Sequence, residues 1–149
     1  MDIGSVFKWD GYPKQKDGKL KARWFIYLGL SSILSNPQNV FLLPSTTQTE
    51  LYEKGNRRQN HKKIKRFKRG SCGFEDKSIV DIHFFENNWI LHEFNKYSSN
   101  MEVKGKVSSN ILMQLYGLIL TDYYIEKIII VDIRRNLNSI GISNLKKPN

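Results

Sequence analysis

Four side chains of this sequence have the chemistry to handle a phosphate group: Arg23, Thr46, Asp81 and His83. Arg23 directly precedes the apolar run WFIYLG, and Thr46 follows the apolar run VFLL, so both stand at the ends of predicted strands. A guanidinium presents a planar fork of donors that matches phosphate oxygens, and a threonine hydroxyl can hydrogen-bond the same group. Asp81 and His83 share one face of a later strand, because side chains alternate with period two.

These groups suit the cleavage of RNA without a metal ion. The ribose 2′-hydroxyl attacks the neighbouring phosphate, a base takes its proton, an acid protonates the leaving 5′-oxygen, and a fixed cation stabilises the added negative charge. Arg23 is the candidate cation, and Thr46 and Thr47 would position the phosphate. His83 or Asp81 is the candidate base, and histidine titrates at roughly pH 6.5 when unperturbed. Each of these residues also fits an ordinary role on a turn or a wet strand face.

The most basic part of the chain is the segment 54–70, which contains no acidic residue. Like charges repel, so we expect a poorly packed loop whose cations could neutralise several phosphates. Nearby aromatic residues, namely Trp9, Tyr12, Phe67 and Phe74, could stack on unpaired bases. A solvated loop, or a contact for an acidic partner, is the alternative. The expected RNA-binding residues are Lys21, Thr47, Gln48, Arg57, Arg58, Lys62, Lys63, Lys65, Arg66, Lys68 and Arg69.

Composition limits the class of protein. The chain has 149 residues, a net charge of +10 and a pI of about 9.7, which favours one domain that is attracted to polyanions, nucleic acid first. A single cysteine, Cys72, excludes an intrachain disulfide, and no secretory leader or membrane span is visible, so a cytoplasmic location is expected. There is no glycine-rich phosphate loop and no paired CxxC, and the histidines lack metal-ligand spacing. We therefore expect no metal and no cofactor.

The elements that would position these residues are mostly short strands. Apolar runs bounded by turn signals predict strands at 3–9, 24–29, 40–43, 78–85, 89–94 and 101–107. Pro44 should end the third strand, the runs 78–85 and 89–94 should form a hairpin, and Met101, Val103 and Val107 should face inward. A loop lined by Lys14, Lys16, Lys19 and Lys21 should join the first two strands.

The end of the chain reads as helical. Ser108 or Ser109 should cap a helix that runs to about Leu120, and isoleucines from Ile125 onward favour a second helix. From Arg134 on, the chain is polar and should fray. Strands first and helices last predict a mainly β fold, a small curved barrel closed by a C-terminal helix. The barrel domain should span 1–121, including the basic loop 54–70, with a helical extension and frayed tail at 122–149.

The stretch 21–48 resembles the PemK/MazF family of bacterial endoribonuclease toxins. The matching residues are Gly4 in GSVFKW, Arg23 before WFIYL, and Pro44 with Ser45, Thr46 and Thr47. The run SIVDI and the late amphipathic helix are similar more loosely, so that the resemblance covers roughly residues 3–120. The chain has Trp24 where the family has proline, and no arginine accompanies Asp81 on its strand.

The resemblance implies an SH3-like barrel, a homodimer, and a cognate antitoxin that covers the RNA groove. The leading hypothesis is therefore a metal-independent endoribonuclease of a type II toxin–antitoxin system that cleaves single-stranded RNA. One alternative is a non-catalytic nucleic-acid-binding barrel. The other is a toxin of the same fold that binds a protein target.

Overall fold

The structure is a computed structural model that describes residues 1–15, 18 and 21–149, and the strands in these ranges form one antiparallel sheet. The strands are β1 Ser5–Trp9, β2 Arg23–Leu30, β3 Asn39–Thr46, β4 Ile64–Phe67, β5 Ser78–Asp81, β6 Glu86–Ile90 and β7 Met101–Lys106. Their order across the sheet is β4-β5-β3-β2-β1-β7, and β6 also pairs with β3. The sheet curls into a half-barrel, so the predicted mainly β architecture is confirmed at this level.

Helices follow and interrupt the strands. They are α1 Leu91–Asn95, α2 Ser109–Leu120 and α3 Lys127–Ser139. The Ser108 hydroxyl accepts the backbone N–H of Ile111 at 3.3 Å, which confirms the predicted cap of α2. The second predicted helix is confirmed as α3.

The two faces of the sheet bury separate cores. Ile26, Leu28, Phe41 and Leu43 face α2 and α3, where Ile119, Ile133 and Leu137 complete an aliphatic core. The alternate side chains of the same strands face an aromatic cluster that contains Phe7, Trp9, Tyr12, Phe25, Trp89 and Phe94. Successive side chains of β2 and β3 thus point alternately into the aliphatic core and the aromatic cluster, so both faces of these strands are buried. This explains the unbroken apolar runs in the sequence.

Two glycines allow the curled sheet to close on itself. The 3₁₀ turn Ser71–Gly73, which follows β4, packs against β7 at the opposite edge of the sheet. A Cβ on Gly73 would lie 2.4 Å from the carbonyl oxygen of Lys104, and one on Gly105 would lie 2.3 Å from that of Cys72. Gly73 also has φ +93°, a conformation that only glycine adopts at little cost.

The basic segment is more ordered than the charge pattern predicts. Residues 64–67 form β4, paired in register with β5, and Phe67 is buried in the aliphatic core. The expectation of a poorly packed loop is therefore wrong for this part, because these residues pair with β5 and Phe67 enters the core, although Arg66 is exposed and Lys65 half-buried. The four aromatic residues proposed to stack on bases, Trp9, Tyr12, Phe67 and Phe74, are all at most 3% exposed, so that prediction is wrong.

Three predicted strand boundaries are also wrong. β3 continues through Pro44 to Thr46, with Pro44 paired opposite Phe25. The hairpin of 78–85 with 89–94 does not form, because β5 pairs with β4 and β3 while β6 pairs with β3. β5 stops at Asp81, whose carboxylate accepts the N–H of His83 and starts a 3₁₀ turn, and residues 91–95 form α1 with Phe94 in the aromatic cluster.

Two features of the C-terminal part of the chain, the strand β7 and the tail, also differ from prediction. Val103 on β7 is 55% exposed rather than inward, because β7 is an edge strand whose pairing with β1 shifts register at a bulge. The tail is not frayed from Arg134: α3 continues to Ser139, Ile142 and Leu145 are buried, and the Arg134 Nε donates to the Leu145 carbonyl at 3.0 Å. Lys16 and Lys19 of the predicted loop lie outside the described residues.

Candidate active site

A buried carboxylate organises the polar end of β5. Asp81 is 2% exposed and accepts three hydrogen bonds. The donors are the Tyr52 hydroxyl at 2.9 Å, the backbone N–H of His83 at 3.0 Å, and His61 Nδ1 at 2.6 Å. Since the carboxylate can only accept, Nδ1 of His61 carries the hydrogen and Nε2 is left to act as a base.

Strand pairing brings His61 to this carboxylate. Ile64 of β4 pairs with Asp81 of β5, and the Ile82 N–H donates to the Lys63 carbonyl at 3.0 Å. The chain entering β4 must therefore pass the end of β5, which places His61 beside Asp81. The 3₁₀ helix Thr49–Tyr52 contributes Tyr52 from the other side.

A second imidazole faces the first. The ring centroids of His61 and His83 are 5.0 Å apart, and the His83 side chain is exposed to solvent. The side chain of His61 is 27% exposed, so its ring reaches the surface while Asp81 lies beneath it. Two neighbouring imidazoles can divide the work of general base and general acid at neutral pH.

A positive charge completes the cluster. Arg58 Nη1 donates to the Tyr52 hydroxyl at 3.2 Å, and its guanidinium carbon lies 4.5 Å from the centroid of the Phe84 ring. Burial, reinforced by the bond to Asp81, raises the pKa of Tyr52 to about 12, so that its hydroxyl stays protonated and donates to the carboxylate. A guanidinium has five N–H donors, so Arg58 keeps donors for a phosphate while Tyr52 and Phe84 fix its plane.

Arg23 begins β2 and Thr46 ends β3, each next to a residue of the pair Trp24↔Ser45. Both side chains already have protein partners. Arg23 Nη1 lies 3.6 Å from Glu86, and its guanidinium lies 5.2 Å from the Tyr12 ring. The Thr46 hydroxyl accepts the N–H of Gln48 at 3.1 Å. Arg23 therefore pairs with Glu86 in this structure, and a cleavage assay on Arg23→Ala tests its predicted role toward phosphate.

Thr46 and the carboxylate cluster adjoin each other. Thr46 pairs with Ile79 of β5, two residues before Asp81, so the two polar groups share a sheet face. Strand geometry puts their Cα atoms roughly 8 Å apart. Arg66 of β4 pairs with the same Ile79, so Arg66, Ile79 and Thr46 lie in one row across β4, β5 and β3.

The remaining predicted RNA-binding residues divide by exposure. Those on the surface are Lys21, Thr47, Gln48, Arg57, Lys62, Arg66, Lys68 and Arg69. Lys65 is half-buried, and Lys63 donates to the Thr121 carbonyl and lies 3.9 Å from Asp122. Of these exposed cations, Lys62 directly follows His61, Arg66 lies on the edge strand β4, and Lys68 and Arg69 follow that strand.

Sequence reasoning singled out Asp81 and His83 but missed His61 and Tyr52, and it assigned Arg58 only to RNA binding. The acid-free run around His61 is read as a basic loop that binds RNA, and a histidine twenty residues from Asp81 carries no local signal for a catalytic role. Within the described ranges, no three His, Cys, Asp or Glu side chains are grouped so that they could hold a metal ion.

Comparison of the chain with models of known protein families, with curated proteins and with solved structures returns no match. Among the residues that the structure describes, no helix has the length and apolar character needed to cross a membrane. The chemistry of the site is therefore inferred from its geometry.

Proposed function

We propose that the protein is a metal-independent endoribonuclease that cleaves single-stranded RNA at the histidine pair. One observation carries the proposal: His61 and His83 lie 5.0 Å apart, with His61 held by the buried Asp81 and Arg58 beside them. The cluster supplies a base, an acid and a fixed cation, which are the three groups that attack by a ribose 2′-hydroxyl requires.

The environments of the two histidines assign their roles. His61 Nε2 takes the proton of the 2′-hydroxyl, and the carboxylate on its Nδ1 stabilises the imidazolium that forms. The 2′-oxygen attacks phosphorus, and the bond to the 5′-oxygen breaks as His83 gives that oxygen a proton. Arg58 stabilises the negative charge that develops on the phosphoryl oxygens. The products are a 2′,3′-cyclic phosphate and a free 5′-hydroxyl.

The surface around the histidines supports an RNA substrate. Exposed cations of the β4 region lie next to the site, and the chain as a whole carries a net charge of +10. Such a surface binds phosphates with release of counterions, so binding should weaken as salt rises. The 2′-hydroxyl is both the nucleophile and the group that distinguishes RNA from DNA.

The wider identity extends the same proposal. A PemK/MazF-like toxin on an SH3-like barrel, acting in the cytoplasm as a homodimer and inhibited by an antitoxin, is supported by the stretch 21–48 and by the curled, mainly β half-barrel. Growth arrest on expression, relieved by a co-expressed partner, tests this part. A toxin directed at a protein target would arrest growth without cutting RNA.

The exposed basic edge favours one other function, nucleic-acid binding without cleavage. That function needs the cations of β4 but not the histidine pair. It would have to dispense with stacking on Trp9, Tyr12, Phe67 and Phe74, since all four are buried.

Three histidine variants test the nuclease. Labelled single-stranded RNA is incubated in EDTA with His61→Ala, His83→Ala and, as a matched control, His92→Ala, whose exposed side chain lies on α1. The first two should each lower the cleavage rate about 10²–10⁴-fold, while His92→Ala should match the wild type. Retention of RNA without cleavage by the wild type would instead support the binding function, and equal rates for all variants would reject the mechanism.

A further inference from the structure

A cleft of about 270 Å³ opens directly beside His83. Its wall combines apolar side chains with hydrogen-bonding groups; the residues that matter here are His83, Phe85, Asn87, Tyr124, Glu126 and Ile129. Pockets that enclose a drug-sized ligand occupy roughly 300–1,000 Å³. The cleft is slightly smaller, which suits a single planar ring system better than a larger molecule.

Besides the His83 imidazole and the Tyr124 hydroxyl, two polar side chains of the cleft are unbonded among the residues that the structure describes. The Asn87 amide and the Glu126 carboxylate make no hydrogen bond or ion pair with any described residue. Asp122, in the same wall, is already engaged, because it accepts the Tyr124 N–H at 2.9 Å and lies 3.9 Å from Lys63. Apart from the proposed catalytic imidazole of His83 and the Tyr124 hydroxyl, the groups that can bind a ligand are therefore the Asn87 amide and the Glu126 carboxylate.

An exposed aromatic ring stands at the same cleft. Tyr124 is 82% exposed, unlike Phe7, Trp9 and Phe25 of the sheet, which are buried. Aromatic faces at the surface are the platforms on which proteins stack unpaired bases. An exposed ring, a free carboxylate and a free amide together have the chemistry of a nucleobase site.

We propose that this cleft binds a guanine base next to the scissile phosphate, an inference that rests on the proposed nuclease function. Guanine presents two adjacent N–H donors, N1–H and the N2 amino group, which one carboxylate can accept together. Glu126 supplies that carboxylate, Asn87 can donate to the O6 carbonyl, and Tyr124 covers the ring. The Watson–Crick edges of adenine, cytosine and uracil each place an acceptor beside their donor, where it would face the carboxylate and repel it.

Nucleotide binding tests the cleft independently of catalysis. The dissociation constants of guanosine, adenosine, cytidine and uridine 3′-monophosphates are measured by calorimetry for the wild type, Glu126→Gln and the control Glu53→Gln, an exposed glutamate elsewhere on the surface. A bidentate contact should favour guanosine by about 5- to 150-fold. That preference should disappear in Glu126→Gln and persist in Glu53→Gln.

The outcomes separate the cleft from the nuclease. Equal binding of the four nucleotides, no binding at all, or a guanine preference that survives in Glu126→Gln would overturn the guanine site. Cleavage of RNA oligonucleotides without a preference for guanine would also overturn it, while leaving the nuclease in place. Guanine-selective binding by a protein that cleaves no RNA would keep the cleft and reject the nuclease.

Discussion

Asp81→Asn is the substitution that most directly probes the site. The asparagine has nearly the same shape, but it offers one acceptor oxygen where the carboxylate offers two. Three donors point at this side chain in the native structure, from Tyr52, His61 and the backbone of His83. At least one donor must therefore face the new NH₂ group, and His61 loses the negative charge that would stabilise its imidazolium.

The size of both effects follows from these contacts. A hydrogen bond to a charged group contributes about 1.5–3 kcal/mol, and an unsatisfied buried donor costs about 1–3 kcal/mol. We expect the free energy of unfolding to fall by about 2–4 kcal/mol, out of the roughly 5–15 kcal/mol that a domain possesses. Loss of the carboxylate behind a catalytic imidazole should lower the RNA cleavage rate by about 10²–10⁴-fold.

A second buried aspartate separates the two effects. Asp132 on α3 is 4% exposed, accepts Arg135 Nη1 at 2.6 Å and accepts the Ser32 N–H at 3.1 Å, away from the histidines. Asp132→Asn should lose stability to a similar degree yet cleave RNA at the wild-type rate. Urea unfolding and RNA cleavage in EDTA are measured on both variants. Wild-type cleavage by Asp81→Asn, or an equal loss of cleavage in both variants, would refute the reasoning.

Three further predictions use other contacts. Arg58→Ala should lower the cleavage rate about 10²–10³-fold, whereas Arg23→Ala should leave it unchanged; the opposite result in a cleavage assay would return the cationic role to Arg23. Because the pKa of Tyr52 is raised to about 12, its contribution to stability is full below pH 10 and is lost as pH rises to 12. The pKa values of Tyr12, Tyr27 and Tyr116 are raised too, so Tyr52→Phe should reduce, without abolishing, the loss of stability over that range in urea unfolding; an unaltered profile would contradict the assignment. Gly73→Ala should lower the free energy of unfolding by at least about 2 kcal/mol more than Gly55→Ala does. Both glycines have positive φ, but only at Gly73 would the added Cβ lie 2.4 Å from a backbone carbonyl. Equal urea midpoints for the two variants would show that the turn at Gly73 is not closely packed against β7.

Local sequence patterns correctly predict those strands and helices, such as β2 and α2, whose conformation follows from their own residues. The run at 24–29 is aromatic and β-branched over its whole length, and it forms part of β2. Ser108 followed by leucines and isoleucines at helical spacing predicts α2, and the side chain of Ser108 caps it. These segments need no distant partner to explain their conformation. Period and capping chemistry therefore suffice for them.

Local sequence patterns do not show which residues are buried by contacts with distant parts of the chain. Trp9 and Tyr12 are candidates for base stacking as well as for a core, and only the approach of Trp89 and Phe94 makes them core. Ile142 and Leu145 are isolated apolar residues in a polar tail, without the spacing that marks a helix. They are buried because α2 and α3 leave an apolar surface that they cover.

Dependence on distant contacts also explains why the sequence alone does not predict His61 and Tyr52 as site residues. Asp81 and His83 are two residues apart, so alternation on a strand is enough to suggest that they act together, although in the structure Asp81 ends β5 and binds the backbone of His83. His61 reaches Asp81 only because β4 pairs with β5 with Ile64 opposite Asp81. A shift of that register by one residue would turn Asp81 to the other face and remove the partner of His61. The chemistry of this site therefore depends on the pairing of the edge strand β4, which Phe67 anchors in the aliphatic core at its far end.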